Sequence, residues 1–134
     1  MKLQHALSMQ GIFVLVFLVI EYFLGMFTNL FISFPNNTYG GKAWVFAWRQ
    51  IPLALHIIVG FSLLVGAIVL VVRAIRQKNK NWILASVIGF IAILSAALAG
   101  ALFISLQRSI YSFIMAISFV VALFAYGWGV YKER

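Results

Sequence analysis

The chain has 134 residues and a formal net charge of +8; 65% of it is hydrophobic, only 9% is charged, and its mean hydropathy is +1.09. Soluble domains carry roughly 25% charged residues, so this composition excludes a water-exposed surface and, with it, the soluble basic face that nucleic-acid binding needs. There is no cysteine, which excludes disulfides, thiolate metal sites and thiol catalysis.

Lipid is therefore the expected solvent, and the length suits one all-α unit, an integral membrane four-helix bundle covering residues 1–134. The first span is expected over residues 11–34, with Glu21 as its single charge. Its apolar stretch is longer than that of a signal peptide and has no Ala-x-Ala site, so it reads as a retained helix. Residues 35–50 form the one long connection, where Pro35, Asn36, Asn37, Gly40 and Gly41 break the helix and Trp44 and Trp48 suit the membrane interface. The second span covers residues 51–72, and residues 73–81 form a short basic turn. The third span covers residues 82–106, residues 107–109 make a tight turn, and the fourth span covers residues 110–131.

Lys and Arg set the expected orientation. Lys2, Arg73, Arg76, Lys78, Lys80, Lys132 and Arg134 fall on one side, and Lys42, Arg49 and Arg108 on the other. Both termini are thus expected in the cytoplasm of a multi-pass plasma-membrane protein, with the lipid bilayer as its main partner. Asn36-Asn37-Thr38 on the outer side matches a glycosylation triplet, a pattern frequent by chance.

Two ionisable residues lie within the spans, and each needs a reason, because a charge at mid-membrane costs at least about 2.5 kcal/mol. Glu21 is followed by Gly25, Thr28 and Asn29, a polar and small stripe expected to face the bundle interior. It reads as a proton or cation site, a ligand to a cofactor propionate or substrate, or a protonated carboxyl bonded to a neighbouring helix. His56 is followed by Gly60 and Ala67 on one face, which leaves room beside the imidazole for a large flat ligand; neutral imidazole ligates haem iron. The alternative is an interfacial histidine bonded to the first loop. Sliding the fourth span onto the second by 59 residues superposes Ile51 on Ile110, Ile58 on Ile117, Leu64 on Leu123 and Val71 on Val130. His56 then falls on Met115, and Gly25 of the first span can be set beside Gly100 of the third. This permits two repeated helical hairpins and a His56/Met115 pair at equal depth, a ligand set that raises haem potential. Met115 also reads as plain core filler. Ala92, Ala96 and Gly100 mark close helix packing, and Ser86 and Ser95 are expected to bond to their own backbone.

The stretches Tyr22-Phe23-Leu24-Gly25-Met26 and Leu55-His56-Ile57-Ile58-Val59-Gly60 resemble one half of a haem A synthase. That family is built from two similar four-helix bundles with a sizeable outer loop and a histidine near the outer start of the following helix. The family's active bundle carries a glutamate one turn before its histidine, where this chain has Pro52. Its paired histidine and its extracellular cysteines are absent, with Met115 nearest to the former. The resemblance therefore implies a haem-holding scaffold, with His56 carried over as ligand, and not haem A synthesis. Glu21 resembles the first-helix glutamate of small multidrug transporters in position only.

Three functions are compatible with these readings. The leading one is a small membrane protein binding haem b, for electron transfer or for oxidase or haem assembly, with His56, Met115 and Gly60 at the cofactor and Glu21 and Asn29 at a polar site. The others are an accessory subunit of a larger membrane complex, and a homodimeric proton-coupled transporter built on Glu21. No side-chain catalytic set is present, so chemistry, where it occurs, would belong to a cofactor.

Overall fold

The computed structural model describes residues 2–133, with side chains from residue 6 onward; the side chains of Lys2, His5 and Arg134 lie outside it. It is all-helical: α1 (Lys2–Phe31), α2 (Gly41–Arg49), α3 (Ile51–Arg76), α4 (Lys80–Leu106) and α5 (Ser109–Lys132). Four of these, α1, α3, α4 and α5, are long and apolar enough to cross a membrane. The shortest, α5, has 24 residues, which at about 1.5 Å per residue exceeds the roughly 30 Å hydrocarbon core. Helices also satisfy their backbone N–H and C=O groups internally, as a bilayer requires. At most 28% of the apolar window of each span is buried, so the outer faces are left to lipid.

Three boundaries differ from the sequence expectation. α1 ends at Phe31 and not at residue 34, because Pro35 disfavours helical backbone at Phe34. It also starts well before residue 11: Gln10 is accommodated inside the helix, where its Oε1 accepts from the Arg73 guanidinium at 2.9 Å. Beyond the expected end of the second span, α3 continues through Arg76, and the basic turn shrinks to residues 77–79. Asn79 then caps α4, its Oδ1 accepting from the Trp82 N–H at 3.2 Å, while its Nδ2 donates to Glu133 at 2.7 Å.

The long connection holds a helix that was not expected there. One face of α2 buries Ala43 and Ala47, and Val45 and Trp48 remain exposed. Three hydrogen bonds fasten this loop to the far hairpin. Trp44 Nε1 donates to Ser105 Oγ at 3.0 Å, the Gly40 N–H donates to the Ser105 carbonyl at 3.1 Å, and Gln107 Nε2 donates to the Thr38 carbonyl. Gln107 itself turns the chain between α4 and α5 with a left-handed φ of 52°.

α1 packs against α3 and α5, and α4 packs against the same two helices, which gives an up-down-up-down square with α1/α4 and α3/α5 on its diagonals. Two separate apolar clusters hold the square. The inner one joins Leu7, Val14 and Leu18 to Leu63, Leu70, Trp82, Ile93 and Tyr126. The outer one joins α2 to Leu53 and Ile104. Glycines admit the largest inner side chains. Trp82 lies against Gly11 and Gly129, and the Tyr126 ring lies on Gly89. Ser86 and Ser95 donate to the Ile83 and Ile91 carbonyls, as expected for serines satisfied within their own helix.

Candidate functional site

Between the two clusters lies a level of the bundle with little fully buried apolar bulk. On α3 no residue between Leu53 and Leu63 is fully buried, and on α5 none precedes Ser118. On α1 only Thr28 is buried beyond Leu18, and on α4 only Ala99 lies buried between Ile93 and Ile104. Glu21, Gly25, His56, Gly60, Gly100 and Met115 all belong to this level.

Glu21 and His56, two residues that the sequence marks separately, form one site. Nδ1 of His56 lies 3.0 Å from Oε1 of Glu21, with side-chain exposures of 23% and 16%. The distance is that of an ion pair, but the ring N–H is not aligned on the oxygen, and Nδ1 makes no hydrogen bond among the described residues. Glu21 Oε2 is buried without a partner as well. A carboxylate with an imidazolium, or a carboxyl with a neutral imidazole, carries no net charge, which lowers the cost of placing both groups in lipid.

The pair is interlocked through two glycines. A Cβ on Gly25, one turn after Glu21, would lie 3.1 Å from Cε1 of His56. A Cβ on Gly60, one turn after His56, would lie 2.7 Å from Oε1 of Glu21. Each acidic or basic side chain thus rests on the glycine that follows its partner. The space that Gly60 opens is occupied by the Glu21 carboxylate, and it is not left free beside the imidazole as the sequence reading had it. Gly60→Ala is therefore expected to push the flexible carboxylate away from His56. The stability cost should stay near 1 kcal/mol, while the ¹⁵N resonances of the His56 ring shift. Unchanged ring resonances would show that the contact does not depend on Gly60.

The remaining expected residues are distributed as follows. Thr28 is buried and donates to the Gly25 carbonyl at 2.9 Å, so it belongs to the same stripe. Asn29 is exposed and does not join it. At about 100° per residue, a position eight residues after Glu21 is rotated roughly 80° off the Glu21 face, whereas Thr28 returns to within about 20°. Met115 sits on α5, diagonal to α3, and packs within its own hairpin: a Cβ on Gly100 of α4 would lie 3.3 Å from its sulfur. Gly25 and Gly100 thus do the same work in the two halves, one receiving His56 and the other Met115. The two candidate ligands lie on opposite sides of the bundle, one at the α1–α3 seam and one at the α4–α5 seam. No group of three or more His, Cys, Asp or Glu side chains is assembled among the described residues.

Fold and composition together define a membrane-spanning four-helix bundle with a carboxylate–imidazole pair at its α1–α3 seam. No protein family, curated protein or solved structure matches the chain.

Proposed function

We propose that this is a small haem-binding protein of the plasma membrane, oriented with both termini in the cytoplasm, in which His56 is an axial ligand and Glu21 positions it. The observation that carries the reading is the 3.0 Å contact between Glu21 and Nδ1 of His56. Metal-ligating histidines almost always engage a carboxylate, carbonyl or water through the other ring nitrogen, which fixes the tautomer and the ring plane. With Nδ1 turned toward Glu21, Nε2 would be the ligating nitrogen.

Two further features suit a flat cofactor at this level. The layer carries no large, fully buried side chain that would need to be displaced. Met115 lies near the outer start of α5, as His56 does near that of α3, so the two belong to the same level of the bundle. Bound haem b would supply one-electron chemistry for electron transfer or for oxidase or haem assembly. The chain's own contributions are an oriented imidazole, a net-neutral polar pair, an apolar surround, and a thioether as the second donor.

The buried, unpartnered Oε2 of Glu21 favours a second reading, a proton-linked transporter in which the pair exchanges a proton with a substrate. One measurement separates the two. Protein purified in detergent from haem-supplemented cells is expected to show a Soret band, with sharp α and β bands after dithionite. A featureless spectrum at full protein recovery would remove the haem reading and leave Glu21 as the functional centre.

A further inference from the structure

The lipid-facing side of the α4–α5 hairpin carries a second feature, unconnected with Glu21 and His56. An open apolar groove of about 450 Å³ runs between the two helices, lined by Leu84 and Ile88 on one side and Val121, Phe124 and Trp128 on the other. Its lining extends from Val120 to Trp128 on α5, about 12 Å along the helix axis, most of the roughly 15 Å depth of one leaflet's hydrocarbon. Both ends of the lining that approach the basic side of the bundle lead to a lysine. Lys80 lies one turn before Leu84, and Lys132 one turn after Trp128. Residues four apart share a helix face, so Lys80 and Lys132 continue the two faces that line the groove. Both lysines are exposed, and Trp128 at 36% exposure occupies the rim, where indoles anchor at headgroup depth. The nearest acid, Glu133, is engaged by Asn79.

The second apolar groove, of about 400 Å³ between α1 and α5, has no such lysines. One turn beyond its ends lie Gly11, before Leu15, and Gly127, after Leu123. Cations at the end of an apolar groove thus distinguish one site and not the other.

We propose that the α4–α5 groove binds one anionic phospholipid, with an acyl chain along Leu84, Ile88 and Phe124 and the headgroup phosphate between Lys80 and Lys132. Each lysine near an anionic headgroup adds a favourable electrostatic term that a zwitterionic lipid does not match. The test uses the full-length protein in detergent with phosphatidylglycerol and phosphatidylcholine added in equal amounts, and native mass spectrometry of the retained lipid. The wild type is expected to retain phosphatidylglycerol in preference by about tenfold. The K80Q/K132Q variant should bind the two lipids equally, whereas R76Q/K78Q, which loses the same charge outside the groove, should keep the preference. Val121→Trp, which fills the groove from the lipid side, should lose the retained lipid with its helicity unchanged. No preference in the wild type overturns the proposal. So does an equal loss in both double variants, which would reveal a diffuse basic rim, or full lipid retention by Val121→Trp.

Discussion

On the proposed haem reading, the wild type purified from haem-supplemented cells is expected to show a Soret band that His56→Ala lacks, with helical content unchanged. The imidazole is the one strong nitrogen donor within the described level of the bundle, and no other side chain there replaces it. Glu21→Gln should behave differently. An amide still fits on Gly60, but it no longer holds Nδ1 as a carboxylate does, and loss of such a supporting partner typically costs 10–100-fold in affinity. Haem titration should therefore give weakened but measurable binding. Met115→Ala tests the proposed second donor: a change from a six-coordinate, low-spin spectrum to a five-coordinate one would place the thioether on the iron, and an unchanged spectrum would leave it as packing against Gly100. If Met115→Ala removed the haem and His56→Ala did not, the assignment of roles would be reversed. If Glu21→Gln bound haem as tightly as the wild type, Glu21 would have no part in positioning the ring.

Gly89→Val is expected to cause a large loss of stability in the bundle. A Cβ at this position overlaps the Tyr126 ring and lies 2.7 Å from its hydroxyl oxygen. Tyr126 is fully buried at the α4–α5 seam, so its ring has nowhere to retreat. Overpacking of this kind costs typically 1–3 kcal/mol and more for a branched side chain, so about 3 kcal/mol is expected, or roughly 10 °C in a thermal melt in detergent. Gly127→Ala supplies the contrast on the same helix. Nothing lies within 4 Å of its added methyl group, and helix propensity favours alanine by about 1 kcal/mol, so it should be neutral or mildly stabilising. Combining Gly89→Ala with Tyr126→Leu should recover part of the loss that Gly89→Ala causes alone, because the two positions share one contact. An unperturbed melt for Gly89→Val would show that the Tyr126 ring does not occupy this place.

The four spans were legible because bilayer thickness converts directly into runs of apolar residues, and no tertiary information is needed to count them. α2 was not legible. Its nine residues follow a proline, two asparagines and a glycine, and it is held by Leu53 just after it and by Ile104 far along the chain. Glu21 and His56 could each be singled out by their cost in lipid, but their partnership depends on the relative rotation and register of α1 and α3, which similar apolar faces leave undetermined. One local signal for it existed: each of the two residues is followed by glycine at the fourth position. Across antiparallel helices these glycines receive the opposite side chain. Reading Gly60 as room for a ligand overlooked the partner that fills it. Asn29 shows the limit of a stripe drawn by spacing alone, since a position eight residues on has already rotated off the face.

The square arrangement has a consequence for how the protein is made. Chains fold from the N-terminus as they are synthesised, and three of the four seams between spans join helices that follow one another in sequence. The fourth, between α1 and α5, joins the first span to the last, and at mid-height it holds the stacked rings of Tyr22 and Phe119, 5.0 Å apart. α1 and α3 are both made before α5, so the seam that carries Glu21 and His56 can form while this edge is still open to the lipid. Completion of α5 shuts the edge. The α1–α5 seam is thus the one whose formation must await α5, after both helices that carry the Glu21–His56 pair have been made.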